Sequence, residues 1–137
     1  MIYPPCHCIQ LRRASRKLTA LYDRALERAG INVTQFAQLH EIVQLGAPSL
    51  GELARRTDLD RSTLGRNVRT LVRKGLVQFE SGPDERTRLV RITQQGKRTL
   101  RLATPMWQEA QDAVTQIMAE HEHAIARLLE NLESTQP

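Results

Sequence analysis

Apolar residues recur along most of this chain at three- and four-residue spacing, the period of a helix with one buried face. Leu11, Ala14, Leu18, Leu21, Tyr22, Ala25 and Leu26 form the first such stripe, with Arg12, Arg13, Arg16, Lys17, Asp23, Arg24 and Glu27 off it. It predicts a helix from about Cys8 to Arg28, with Pro4 and Pro5 before it and Gly30 placed to end it. A second helix is expected to start at Thr34 as N-cap and to carry Phe36, Ala37, Leu39, Ile42, Val43 and Leu45 before Gly46. It is apolar around much of its circumference, which makes it central. Ser49 can cap a third helix, Leu50 to about Thr57, with Leu50, Leu53 and Ala54 inward. Asp60 or Arg61 begins a fourth, with Leu64, Val68, Leu71 and Val72 inward and Gly75 as its stop.

The period then changes. Val77-Gln78-Phe79-Glu80 and Leu89-Val90-Arg91-Ile92 alternate or are β-branched, and they flank the turn residues Ser81-Gly82-Pro83-Asp84. That is a hairpin with a charged tip. From Gln94 or Gln95 a long helical stripe resumes through Leu100, Ala103, Trp107, Ala110, Val114, Ile117 and Met118, with Pro105 expected to kink or locally break it. A final helix holds Ile125, Leu128, Leu129 and Leu132. There is no internal repeat and no low-complexity linker. The fold class is mainly α with a small β-hairpin wing.

Composition narrows the setting. At 137 residues, 40% hydrophobic and 26% charged, the chain fits one globular unit with helical extensions. No apolar run is long enough to span a bilayer, and Met1 to Gln10 lacks the charged and apolar regions of a secretory signal, so a cytoplasmic protein away from membranes is expected. Cys6 and Cys8 are the two cysteines, and a bond between them closes a strained small ring. A reducing compartment is the simpler reading.

Charge is concentrated in the middle of the chain. Arg55 to Arg91 holds ten of the 20 basic residues against five acids, Asp58, Asp60, Glu80, Asp84 and Glu85, an excess equal to the formal +5 of the whole chain. The flanks are near balance or acidic. A helix, a tight four-residue turn and a second helix form the geometry that lays the second helix in the major groove of DNA, its N-terminal residues reaching base edges. Here those residues are Arg61, Ser62, Thr63, Arg66 and Asn67, with Arg69 further along. Arginine grips guanine bidentately, Asn does the same with adenine, and Ser or Thr takes phosphate oxygens. Gly65 costs helix stability on the order of 1 kcal/mol relative to Ala and is accounted for either by close approach to the groove or by drift. Arg86 or Arg88 on the hairpin suits a minor groove, with Asp84 placed to hold one of these arginines in orientation.

The order of these elements resembles the multiple-antibiotic-resistance regulator family, MarR, of winged helix-turn-helix transcription factors. The resemblance covers nearly the whole chain and is most specific at LGELARRTDLDRSTLGRNVRTLVRKGLV (residues 50–77) and DERTRLVRITQQG (residues 84–96). It implies a single unit over 1–137, with a DNA-binding lobe at 34–93 and a helical dimerisation region at 1–30 and 94–137. It also implies a homodimer on a palindromic operator of double-stranded DNA, usually repressing until a small molecule or oxidant releases it. The terminal apolar stripes independently require a partner.

Within that family the organic-hydroperoxide sensors carry a reactive Cys near the start of the first helix, and Cys8 falls at that position, with Tyr22 at that of a supporting tyrosine. Arg12 stands where a second tyrosine is expected, and the C-terminal resolving Cys is absent. The helix dipole and Arg12 one turn away are surroundings that make a thiol reactive, and Cys6 is a neighbouring thiol. The rival reading is a small apolar residue inert in a dimer interface. Cys6-His7-Cys8 with His40, His121 or His123 raises a metal site, though such closely spaced ligands share one tetrahedral ion poorly. A pocket for an aromatic or phenolic ligand, lined by Tyr22, His40, Arg16 and Trp107, is the third option. No cofactor is expected. No nucleophile triad, paired carboxylates or phosphate loop is recognisable, which argues against an enzyme. A non-specific architectural DNA binder remains the rival function.

Overall fold

The computed structural model describes residues 6–84 and 86–135. Pro4, Pro5 and Glu85, which entered the expectations above, lie outside the described residues. Six helices and one hairpin follow in order: α1 (His7–Leu26), α2 (Val33–Leu45), α3 (Leu50–Thr57), α4 (Arg61–Arg73), β1 (Val77–Ser81), β2 (Arg88–Ile92), α5 (Gln94–Met118) and α6 (Glu122–Ser134). A single 3₁₀ turn, Glu27–Ala29, ends α1 and hands the chain to Gly30 at φ 74°.

The starts of these helices are written in short polar side chains. Ser49 accepts from the Glu52 N–H at 3.1 Å while the Glu52 carboxylate accepts from the Ser49 N–H, a reciprocal capping box. The same device caps α2, but through Asn32 and Gln35 rather than through Thr34. The expected Thr34 cap is therefore corrected by two residues. Asp23, ten residues back on α1, also accepts the Val33 N–H at 2.8 Å and ties the two helices together. Asp60 caps α4 through the Thr63 N–H at 2.8 Å.

The core runs from Leu26 through Ile31, Phe36, Leu39, Ile42, Leu53, Leu64, Val68, Leu71, Val77 and Val90 to Ala103. α2 is central on its Phe36, Leu39 and Ile42 side, but Ala37, Val43 and Leu45 are exposed, so its apolar circumference is only partly covered. Pro105 does not break α5, which continues as one helix from Gln94 to Met118. Proline removes only the bond to the Arg101 carbonyl, and both residues lie on the exposed side, where water can take that carbonyl.

The hairpin is antiparallel, with Val77 opposite Ile92 and Phe79 opposite Val90. Its base is knitted to its neighbours: the Thr93 N–H donates to the Leu76 carbonyl at 3.0 Å, and the Thr93 hydroxyl donates to the Gly75 carbonyl at 2.6 Å. The Val90 N–H donates to the Pro48 carbonyl at 2.8 Å, which lays the entry to α3 along β2. These bonds fix the wing relative to α3 and α4.

Candidate nucleic-acid interface

Three residues, Asp58, Leu59 and Asp60, separate α3 from α4, one fewer than the sequence suggested. Asp58 takes the left-handed conformation at φ 55°, which Asp tolerates better than most side chains, and this makes the turn tight. Leu64, Val68 and Leu71 are fully buried, so α4 is held by its inner face. Ser62, Arg66 and Arg69 are exposed, while Thr63 and Asn67 are half-buried on its flanks.

The first turn of α4 is pre-ordered. Asp60 accepts both the Thr63 N–H and the Thr63 hydroxyl, each at 2.8 Å, and Arg66 lies 3.4 Å from the Thr63 oxygen. Those hydrogen bonds, led by the Thr63 N–H, hold the Asp60 carboxyl below its ordinary range. Arg61 folds back over the start of α3, its guanidinium about 3.5 Å from where a Gly51 side chain would begin. Around Gly65 there is room for a methyl group, with only the Arg69 guanidinium at 3.9 Å, so packing within the chain does not demand a glycine there.

The wing differs from expectation in two particulars. Asp84 does not hold an arginine side chain; its carboxylate accepts the main-chain N–H groups of Arg86, at 2.9 Å, and Thr87, at 2.8 Å. It thus shapes the tip and leaves the exposed Arg86 side chain unpaired among the described residues. Arg88 lies over the Phe79 ring at 5.2 Å, a cation–π contact that fixes it on the side of the hairpin. Arg91 is engaged by Glu80 at 2.8 Å. Of the wing's cations, Arg86 is the one left without a side-chain partner among the described residues.

The bonds to Thr87 and to the Arg86 main chain hold the Asp84 carboxyl below its usual value. A depressed carboxyl contributes order that is complete above the ordinary aspartate range and is lost as pH falls through the depressed value. The Arg86 and Thr87 amide resonances are expected to shift together in that acidic window. Asp84→Asn should remove their pH dependence, and resonances moving only with the bulk unfolding transition would contradict this.

The residues considered for sensing are not gathered into one place. Cys6 occupies the N-cap position of α1 without a side-chain capping bond, and Cys8 lies in the first turn; both are exposed free thiols. Arg12 is exposed on the next turn. Tyr22 lies fourteen residues beyond Cys8 on the same helix, about 21 Å at the rise of an α-helix. Its hydroxyl donates to Gln111 on α5, and burial raises its ionisation above the ordinary tyrosine value. The described residues contain no group of three His, Cys, Asp or Glu able to hold a metal, so the Cys6-His7-Cys8 option has no geometric support. His40 and Trp107 do share a cleft, of about 250 Å³, with Phe36, but Tyr22 and Arg16 do not line it. Sequence reasoning missed the Tyr22–Gln111 bond, which spans 89 residues, and the buried Gln38. Gln38 was legible as a polar position within an apolar stripe.

Residues 29–87 match the sequence profile of the MarR family. An uncharacterised HTH-type transcriptional regulator of Bacillus subtilis (strain 168), YdgG, is 30% identical over 103 residues, 72% of this chain and 68% of the relative. The M. tuberculosis transcriptional regulator MosR, solved in complex with DNA, superposes with a TM-score of 0.79 at 35% identity over 93% of each chain. The S. aureus MepR–DNA complex superposes with a TM-score of 0.81 at 21% identity, covering 96% of this chain and 100% of that one, which supports the fold. No helix among the described residues is long and apolar enough to cross a membrane. The helix-turn-helix, its wing and these relatives together place the chain in the MarR family of DNA-binding transcriptional regulators, which are not enzymes.

Proposed function

We propose that this protein is a homodimeric repressor that reads a palindromic operator, α4 in the major groove and the wing in the minor groove, and that an oxidant or small molecule releases it. The observation that carries this reading is the pairing of two outward-facing devices on one braced scaffold. One is the exposed Ser62–Arg69 side of α4, and the other is Arg86 at a tip shaped by Asp84. In this reading residues 34–93 form the DNA lobe, and 1–30 with 94–137 form the pairing region.

Pairing is supported by apolar surface that the chain leaves uncovered. Ile117 is 63% exposed, Leu129 and Leu132 are each 55% exposed, and α6 buries no residue at all. A solvated helix with that stripe is unfavourable unless something covers it. A second copy turned by two-fold symmetry covers it and sets two recognition helices at a fixed spacing. Arg86→Ala is expected to weaken operator binding, measured by fluorescence anisotropy, with a shallower salt dependence. Undiminished affinity would rule out the wing as an anchor.

For release, Cys8 is the favoured entry point. Transfer of a hydroperoxide oxygen to its sulfur yields a sulfenic acid and an alcohol, at an exposed position on a helix belonging to the proposed dimer interface. Cys8→Ser is expected to abolish peroxide-induced release of DNA. Wild-type protein that stays bound after treatment would end the oxidant reading. It would leave the Phe36–His40–Trp107 cleft, where Phe36 and Trp107 stack at 5.4 Å, as the site for an aromatic effector.

A further inference from the structure

Gln38 is 2% exposed, yet neither its side-chain oxygen nor its amide nitrogen has a hydrogen-bond partner among the described residues. It lines a cleft of about 390 Å³ between the first turns of α2 and the middle of α4, whose other walls are Asn32, Thr34, Gln35, Asn67 and Thr70. Every wall residue carries an amide or a hydroxyl, and none is ionisable. An orphaned buried amide is unfavourable at both its ends, and this cleft is the polar space that Gln38 adjoins. Asn32 and Gln35 use their side-chain oxygens on each other's main-chain N–H groups, at 2.9 and 3.0 Å, which leaves their NH₂ groups as donors without a partner among the described residues. The neighbouring cation, Lys74, donates to the Gly30 carbonyl at 2.6 Å and to the Gln35 side-chain oxygen at 3.4 Å.

We propose that this cleft binds a neutral small molecule with a cis-amide edge, such as a lactam, cyclic urea or pyrimidinone, paired to Gln38 after rotation of its outer side-chain torsions. That edge sets one N–H beside one C=O, the complement of the Gln38 carbonyl and NH₂ groups. A carboxylate would meet only the Lys74 ammonium, already engaged by the Gly30 carbonyl and the Gln35 side-chain oxygen, and an apolar ligand would leave the amide orphaned. The site stands on this geometry alone. Its consequence rests on the DNA-reading role proposed for Asn67, which belongs both to the cleft and to α4, so that occupancy and operator binding are linked.

The test uses the isotope-labelled full chain, titrated with uracil and pyrrolidinone, and with acetate and glycerol as anionic and hydroxylic controls. The two amide probes are expected to shift the side-chain NH₂ resonances of Gln38 and Asn67 saturably, and the controls are not. Gln38→Leu is expected to lose the Asn67 response while melting no lower than wild type, because it removes the orphaned groups. Absence of saturable shifts with both amide probes, an equal response to acetate or glycerol, or a lower melting temperature for Gln38→Leu overturns the proposal. Operator affinity measured with saturating uracil reads the linkage separately: unchanged affinity alongside intact shifts supports the site and contradicts the role given to Asn67.

Discussion

Gly96→Ala is expected to destabilise the protein by about 3 kcal/mol, the upper end of overpacking costs, although the same exchange favours most helices. A side chain begun at Gly96 would stand 2.1 Å from the Leu76 carbonyl oxygen and 2.7 Å from Ile92 Cγ1. The Leu76 carbonyl cannot retreat, because it is the acceptor for the Thr93 N–H that closes the base of the hairpin. The expected fall in melting temperature is roughly 10 °C for a chain of this size. Gly65→Ala is the internal control: its new methyl group meets only the flexible Arg69 guanidinium at 3.9 Å, so helix propensity should dominate and the melting temperature should hold or rise. Equal melting of the two variants would contradict the close approach of α5 to the hairpin. Because that approach aims the wing, Gly96→Ala should also weaken DNA binding beyond its effect on the folded fraction.

Arg66→Ala is expected to cost about 1–3 kcal/mol of operator binding, roughly a 5- to 150-fold loss, if its guanidinium grips a base edge. The residue is exposed on α4, and the only hydrogen bond of its guanidinium among the described residues is a long one of 3.4 Å to Thr63, so little holds it back from DNA. The stability of the protein should be unchanged. The loss should fall on one base-pair position, with affinity for unrelated duplexes affected far less. A uniform loss across all sequences would instead make Arg66 a phosphate contact.

Much of this architecture was legible because its determinants are local. Ser49 and Glu52 announce α3 three residues apart, and Gly30 and Gly75 stop their helices in the left-handed conformation, at φ 74° and 75°. The Asn32–Gln35 box stands at the same spacing, and Thr34, a weaker cap than Asn, lies inside the helix it starts. The alternating residues of β1 and β2 placed the wing within a residue at each end. What sequence could not give were contacts between distant segments. Tyr22 finds Gln111 and Asp23 finds the Val33 N–H only once α1 lies against α5 and α2. Arg86 and Arg88 look interchangeable in the sequence, and only the position of Phe79 separates an anchored cation from one that projects. The exposure of Val43 and Leu45 was similarly hidden, because periodicity marks which faces are apolar and not which are covered.

In the proposed function, α4 and the wing read a defined DNA sequence as a two-fold pair. Selection from a pool of random duplexes by the purified full chain, followed by binding of the enriched sequence against unrelated competitor DNA, tests this directly. The expected result is enrichment of an inverted repeat with half-sites about one helical turn apart, bound far more tightly than competitor. Unenriched pools, with equal affinity for every duplex, would contradict it and leave a non-specific architectural DNA binder.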